Sequence, residues 1–325
     1  MSKPNPDISI ILLTHNGDEY LSDVLGSIFT QTTQYSYEVV AIDSGSSDRT
    51  LEILKNFPVR LVQIPNQEFG HGRTRNFGVQ STVGRYVVFL TQDATPATAT
   101  WLENLVRPVA EDQRVAGSYS RQMPRPDCNP CEARDIAIGA GPLSIVKRVN
   151  FQDSIQVENY KAYLSRFISF SNVSSCVGRD VLEKLPFSET LVMVEDQEWC
   201  KRAIESGYRV VYEAASAVYH SHNHSLNLIY KRYFDYGMSL REFAPVPMTL
   251  KDVLLYTIFE SLSDIVFILG RRKAKVSTLT WIVKSPVVRI AMRYGLYRGL
   301  RGASDERVVR KFSAARARSD LSAKR

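Results

Sequence analysis

Between Ile8 and Leu90 the chain switches repeatedly between two hydrophobic periods. Ile8-Ser-Ile-Ile-Leu-Leu-Thr14 is a short, nearly continuous apolar run, the pattern of a strand covered on both faces. Leu21, Val24, Leu25, Ile28 and Phe29 then recur at helical spacing. Glu38–Asp43 predicts a second strand, a helix follows from Asp48 toward Leu54, and Val59–Ile64 predicts a third strand. A helix near Arg73–Val79 and a strand at Tyr86–Leu90 complete the series. Strands that alternate with helices through short loops imply a doubly wound parallel sheet. Such sheets bind ligands beyond the carboxyl ends of their strands. That rule singles out Thr14, Asp43 and Thr91–Asp93.

Beyond this region the pattern loosens, interrupted by Pro124, Pro126, Pro130 and Pro142. Strands are expected at Val115–Arg121, Phe167–Ser171 and Arg209–Tyr212, and a helix from Asp196 to Glu205 that Gly207 terminates. After His224 the pattern is almost wholly helical. A length of 325 residues, 44% of them hydrophobic and 23% charged, describes an ordinary globular chain with a sizeable core. It excludes disorder throughout and a multi-span membrane protein.

The net charge of +7 is unevenly placed. Residues 1–270 hold 25 Lys and Arg against 31 Asp and Glu, whereas residues 271–325 hold 16 against 3. A main fold built to bind nucleic acid would not look like this, so no nucleic-acid partner is expected. A basic tail of this kind fits an anionic membrane surface. Met1–Asp7 is polar and lacks an apolar signal core. Four cysteines in so long a chain suit reduced thiols, and the expected location is cytoplasmic. Cys128-Asn-Pro-Cys131 has the spacing of half a zinc site but lacks a second close pair, so incidental thiols are the preferred reading.

Several polar groups fall where the sheet would bind a ligand. Thr14-His15-Asn16 and Asp43-Ser44-Gly45-Ser46-Ser47-Asp48 end the first two strands. Small polar residues there admit a nucleotide, and the Asp43 carboxylate can accept from a base or ribose. Asp48 reads more simply as a helix cap. Phe69-Gly-His-Gly-Arg-Thr-Arg-Asn76 gathers an imidazole, two guanidinium groups and an amide at a helix start, which suits a diphosphate, although a solvated basic loop would look the same. Asp93 follows the fourth strand, Glu195-Asp196 opens a later helix, and His220, His222 and His224 alternate near the end of this region. Asp93 with a histidine can hold a divalent cation on phosphate oxygens, and Asp196 can act as a general base. Read singly, these are a strand-end aspartate, a helix-start aspartate and a polar loop. No G-x-G-x-x-G follows the first strand and no P-loop occurs.

The ordered set Ile8–Asn16, Asp43–Asp48, Arg75-Asn76, Gln92-Asp93 and Glu195-Asp196 with Trp199, Arg202, Gly207 and Tyr208 resembles the family-2 glycosyltransferases. The resemblance covers about residues 7–225. Phe69–Asn76, Thr91-Gln-Asp-Ala94 and His220-Ser-His-Asn223 look like the bacterial rhamnosyltransferase branch. The likeness implies an α/β fold: a GT-A Rossmann-like nucleotide-sugar-binding domain at 1–225 with a helical, basic C-terminal region at 226–325. It implies an inverting transfer from a nucleotide-sugar, with L-rhamnose from dTDP-rhamnose as the specific expectation, to a saccharide or lipid-linked acceptor in bacterial surface-glycan synthesis. Thr14, His15, Asn16 and Asp43 would hold the nucleoside, with Gln92 beside them. Arg73, Arg75 and Asn76 would lie near the diphosphate or sugar. Asp93 and His220 would bind Mg²⁺ or Mn²⁺, and Asp196 would be the catalytic base. Thr91 stands where the family's metal motif has its first acid, so that motif supplies one carboxylate here. Trp199 would line the acceptor pocket or fill the core.

In the C-terminal region, Thr249–Gly270 is apolar apart from a stripe of Asp252, Tyr256, Glu260 and Asp264 at four-residue spacing. Arg271–Lys275 follows at once, and Thr278–Leu300 mixes apolar and basic residues. The segment falls short of the roughly 20 apolar residues that span a bilayer. It reads as a basic amphipathic pair of helices on the inner face of the cell membrane, against the alternative of helices packed on the core or on another subunit. Two rival functions stay open at this level: a non-catalytic nucleotide-sugar-binding scaffold, and a nucleotidyltransferase, which would need a Gly-rich basic loop that Thr14-His-Asn-Gly-Asp18 lacks.

Overall fold

A computed structural model describes residues 4–270, 276–302 and 313. The basic run at 271–275 and most of the tail after Gly302 lie outside the described residues. The chain divides into two compact units. One is drawn from Met1–Met123, Ala140–Thr190 and Glu195–His220, the other from Pro124–Gly139, Leu191–Val194 and Ser221–Arg325. The division is therefore not a single cut in the sequence, because two short segments join the C-terminal unit.

The first unit is built on a sheet of nine strands among the described residues: β1 (Ile8–Thr14), β2 (Tyr37–Asp43), β3 (Arg60–Gln63), β4 (Tyr86–Thr91), β5 (Thr95–Pro96), β6 (Val115–Met123), β7 (Ile145–Lys147), β8 (Ser174–Gly178) and β9 (Arg209–Tyr219). Their order is β3-β2-β1-β4-β8-β6-β9-β5, with β7 on β9. The first four are parallel, as the alternating pattern requires. β8 then runs antiparallel between β4 and β6, so the whole sheet is mixed. The expected strand at Phe167–Ser171 does not form. Its Ser169 carbonyl accepts from Lys147 Nζ and the following Asn172 amide donates to Asp196, which leaves these groups unavailable to a ladder.

The helices are α1 (Leu21–Phe29), α2 (Thr50–Lys55), α3 (His71–Gln80), α4 (Trp101–Glu111), α5 (Pro130–Gly139), α6 (Ser154–Ala162), α7 (Leu164–Phe167), α8 (Arg179–Lys184), α9 (Glu195–Glu205), α10 (Leu226–Phe243), α11 (Leu250–Leu269), α12 (Val276–Leu279) and α13 (Trp281–Arg301). Leu21, Val24, Leu25 and Ile28 of α1 cover Ile8, Ile10 and Leu12 of β1, and Trp101, Leu102 and Leu105 of α4 extend the same core. Burying each such side chain stabilises the fold by roughly 1.5–3 kcal/mol before entropy is counted. Thr14 is level with Asp43, and Leu13 with Thr91. The loops after β1, β2 and β4 therefore leave the sheet at one edge.

In the second unit, α10 and α13 approach closely because Gly295 and Gly299 present bare backbone; a Cβ at Gly299 would overlap the Phe234 carbonyl oxygen. α11 buries the line Val253, Thr257, Ser261, Asp264 and Ile268, so of the stripe expected from spacing only Asp264 is turned inward, while Tyr256 is exposed. Asp264 accepts from Arg289 and Ser285 of α13, and Glu260 pairs with Arg293. Leu254, Leu255, Ile258, Leu262 and Val266 of α11 face outward. Among the described residues no helix is long and apolar enough to cross a membrane.

Candidate active site

Three loops at the carboxyl edge of the sheet are tied together by reciprocal bonds. The Gln92 side chain accepts from His15 N (2.8 Å) and donates to His15 O (3.0 Å). His15 Nδ1 lies 3.1 Å from Ser44 O. Asn16 adopts a left-handed backbone (φ 48°), accepts from Ser47 N at 2.8 Å, and donates its own amide to Ser46 Oγ at 2.9 Å. Left-handed geometry suits Asn, whose amide bonds to nearby backbone. Asp43 sits wholly inside this knot. Its carboxylate accepts from Thr14 Oγ1, from the amides of Gly45 and Ser46, and from Ser46 Oγ. Asp43 thus shapes the loop, while Asn16 and Ser47 are the exposed groups on its rim. Asp48 accepts from Thr50 N and Asp18 N, joining a helix start to the first loop.

The Phe69–Asn76 motif forms the start of α3, with Gly70 extended before it. Gly72 is required by packing: a Cβ there would overlap the Ser188 carbonyl oxygen. Arg73 points outward, with Glu189 at 3.9 Å. Arg75 and Asn76 are buried. Arg75 Nη1 donates to Glu195 Oε1 at 2.5 Å. Asn76 donates to Phe187 O at 2.9 Å and accepts from Phe187 N at 3.0 Å, fixing the segment that follows α8. As they stand, these two residues serve the framework of the site, and Arg73 is the exposed cation of the motif.

Glu195 and Asp196 open α9, directly after Val194, whose φ of 58° is strained for a β-branched residue. Glu195 is almost completely buried. Burial alone would raise its pKa, but the Arg75 charge prevails and holds it below the ordinary glutamate range. Asp196 is half-buried and accepts from Asn172 N (3.0 Å) and Gln197 N (2.8 Å). Burial, then the neighbouring Glu195 charge, push its pKa up to about 7. Asn172 was not singled out in the sequence. It holds Asp196 by its amide, contacts Glu195 through Nδ2 at 3.4 Å, and accepts from Ser175 Oγ at 2.8 Å. No motif marks it, because its role depends on a loop that folds back from a distant stretch of chain.

Asp93 and His220 come together, with His220 Nε2 3.6 Å from Asp93 Oδ1. Gln122 Oε1 lies 3.0 Å from His220 Nδ1 and fixes the ring so that Nε2 faces the carboxylate. Neighbouring ligands of one octahedral ion with ~2.1 Å bonds stand about 3 Å apart, so this pair fits a shared divalent cation. Thr91 Oγ1, at the position of the missing first acid, is buried without a hydrogen-bond partner among the described residues. His222 lies in the other unit, where its amide donates to Glu132 and its ring stacks on His224. Trp199 is a core residue: it is fully buried, donates to Leu185 O, and packs on Phe170 and Phe187. The four cysteines are free thiols.

Residues 9–161 match the family described as Glycosyl transferase family 2. The chain is 33% identical over 236 residues to the O-antigen chain rhamnosyltransferase RfbN of Salmonella typhimurium, covering 71% of each protein. It is 30% identical over 235 residues to the O-antigen chain rhamnosyltransferase WbaN of Salmonella anatum, covering 72% of each. In fold it is similar to the mannosyltransferase PcManGT from Pyrobaculum calidifontis, solved with GDP-Man and Mn²⁺, at a TM-score of 0.56, 15% identity, and coverage of 90% of this chain and 88% of that one. The chain is a glycosyltransferase with a GT-A-like α/β fold, and it belongs to glycosyl transferase family 2.

Proposed function

We propose that this enzyme is an inverting rhamnosyltransferase that moves L-rhamnose from dTDP-rhamnose onto a saccharide or lipid-linked acceptor during bacterial surface-glycan synthesis. The sugar and the setting are supported by the similarity to RfbN and WbaN. The single observation that carries the mechanism is Asp196, a carboxyl whose pKa of about 7 lets it take a proton near neutrality. The acceptor hydroxyl gives its proton to Asp196 while its oxygen bonds to the anomeric carbon. The bond from that carbon to the diphosphate oxygen breaks, and its electron pair leaves with the nucleoside diphosphate. One displacement inverts the anomeric configuration.

Asp93 and His220 are assigned to a Mg²⁺ or Mn²⁺ ion, which when bound supplies positive charge to the departing diphosphate. Thr14, His15, Asn16, Asp43 and Gln92 are assigned to the nucleoside pocket and its frame, and Arg73 to the diphosphate. Residues 1–225 carry catalysis in this reading, and residues 226–325 hold the enzyme on the anionic inner face of the membrane. The support for that attachment is the excess of 16 Lys and Arg over 3 Asp and Glu in residues 271–325. Transfer from labelled dTDP-rhamnose, set against a panel of other nucleotide-sugars, tests the donor. An Asp196→Asn variant that keeps wild-type transfer would remove Asp196 as the base.

A further inference from the structure

The outward face of α11 is apolar. Leu254, Ile258, Phe259, Leu262 and Val266 lie on it, with Phe259 66% and Val266 71% exposed. On α13, Val283 is 78% exposed. A soluble helix normally buries such residues and exposes its polar stripe, whereas here Thr257, Ser261 and Asp264 take the buried positions. Exposed apolar area on this scale marks an interaction surface.

The charges indicate what covers it. All three acids of α11 are engaged within the unit: Asp252 in the capping box with Thr249, Glu260 with Arg293, and Asp264 with Arg289. Lys251, Lys284 and Arg301 are exposed on the same two helices. Glu260 and Asp264 are thus paired with cations inside the unit, Asp252 stays solvated at the start of the helix, and Lys251, Lys284 and Arg301 remain outside. A second copy of this chain would set these three cations against their own equivalents in a two-fold contact, with Asp252, already held by Thr249, as the one acid of α11 left outside to answer them. An anionic lipid leaflet supplies both the apolar cover and the counter-charge.

We propose that α11 and α13 lie in the plane of an anionic leaflet, with the Leu254–Phe259–Val266 face among the acyl chains and Lys251, Lys284 and Arg301 at the phosphates. This deepens the membrane reading above and rests on it, but not on the catalytic assignment.

The test is flotation of the full-length protein with vesicles of phosphatidylethanolamine and phosphatidylglycerol, and separately with phosphatidylcholine alone. The wild type should float with the anionic vesicles, and Phe259→Ser/Val266→Ser should partition at least 10-fold more weakly. Circular dichroism and transfer activity report whether that variant is folded; a Lys251→Glu/Lys284→Glu variant should also lose anionic binding. If wild type fails to float, the membrane reading itself falls. If wild type floats and the Ser variant floats equally well, attachment belongs to the basic tail and the face proposed here is wrong. If light scattering shows a dimer that the Ser variant dissociates while vesicle binding is unchanged, the face belongs to a second copy.

Discussion

Arg75 Nη1 lies 2.5 Å from Glu195 Oε1, with both side chains almost excluded from solvent. The pair joins the α3 motif to the residue beside Asp196, so it sets the charge that Asp196 experiences. Removing the Glu195 charge lowers the Asp196 pKa and leaves the Arg75 cation to lower it further. Glu195→Gln should therefore shift the acid limb of the kcat profile below the wild-type position near pH 7. Breaking a buried pair also costs about 3–5 kcal/mol of stability. A pH–rate profile measured well below the melting temperature separates the two effects. An unmoved limb would remove Glu195 as the group that tunes Asp196.

Asp196 carries a stability cost of its own. Its folded pKa, about 7, is raised above the unfolded value. The favourable contribution of the protonated form is thus complete below about pH 4 and lost as pH rises through about 7. Asparagine mimics the protonated acid. Asp196→Asn should match wild type in stability near pH 4 and exceed it at pH 8, on the order of a few kcal/mol at about 1.4 kcal/mol per pKa unit. Denaturant melts at the two pH values check this, and transfer activity should fall by at least about 100-fold in the same variant.

The parallel half of the sheet was legible because each strand is an apolar run and each helix has its own period. Glu195-Asp196 is contiguous and the family motif is ordered, so the sequence marks Asp196 as the candidate base, and its place at the start of α9 was legible. The roles of Arg75, Asn76 and Asp43 were not, because residue type alone does not tell an inward guanidinium or carboxylate from a ligand contact. Arg75 spends its charge on Glu195, and Asp43 accepts four hydrogen bonds within its own loops. Asn172 and Gln122 reach the site only by tertiary folding. The Asp252–Asp264 stripe of α11 was visible in its spacing, but spacing gives no sign that Asp264 alone of it turns inward, on a face shared with Val253, Thr257, Ser261 and Ile268.

Gln122 offers a test of the cation site that spares both assigned ligands. It fixes the His220 ring through Nδ1. Loss of such an orienting bond typically costs about 10–100-fold in metal affinity. Gln122→Ala should raise the Mn²⁺ concentration needed for half-maximal transfer by that range and leave kcat at saturating Mn²⁺ largely intact. Activity that survives exhaustive chelation in wild type would remove the cation from the mechanism.

Gly72 tests the packing of the donor-side motif. Any Cβ there meets the backbone carbonyl of Ser188, which cannot swing aside like a side-chain tip. Gly72→Ala should cost about 1–3 kcal/mol by overpacking. The strain is transmitted to the Asn76–Phe187 bonds. Thermal melts should show the loss, whereas Gly139→Ala, where the added Cβ meets nothing within 4 Å, should not.

The helical unit depends on Arg289, a fully buried cation. It donates to Asp264 Oδ2 from Nε at 2.8 Å and to Asp264 Oδ1 from Nη2 at 2.7 Å, and it also reaches Asp135 and the Cys131 carbonyl. Burial pushes the Asp264 pKa up, but the Arg289 and Ser285 bonds outweigh it and hold it below the ordinary carboxylate range. Its contribution is present above an unfolded pKa of about 3.9 and is lost as pH falls through the lower folded value. Asp264→Asn removes a charge and strands Arg289, so it should cost about 3–5 kcal/mol at pH 7. That cost should begin to shrink as pH falls below about 4, where the unfolded carboxylate takes up its proton while the folded one stays ionised. Replacing both partners, as Asp264→Leu with Arg289→Met, should cost less than the single change, because no buried cation is left unpaired. Melts of the three proteins at pH 7 and pH 3.5 decide it: a double variant less stable than Asp264→Asn would show that the network contributes more than the charge it neutralises.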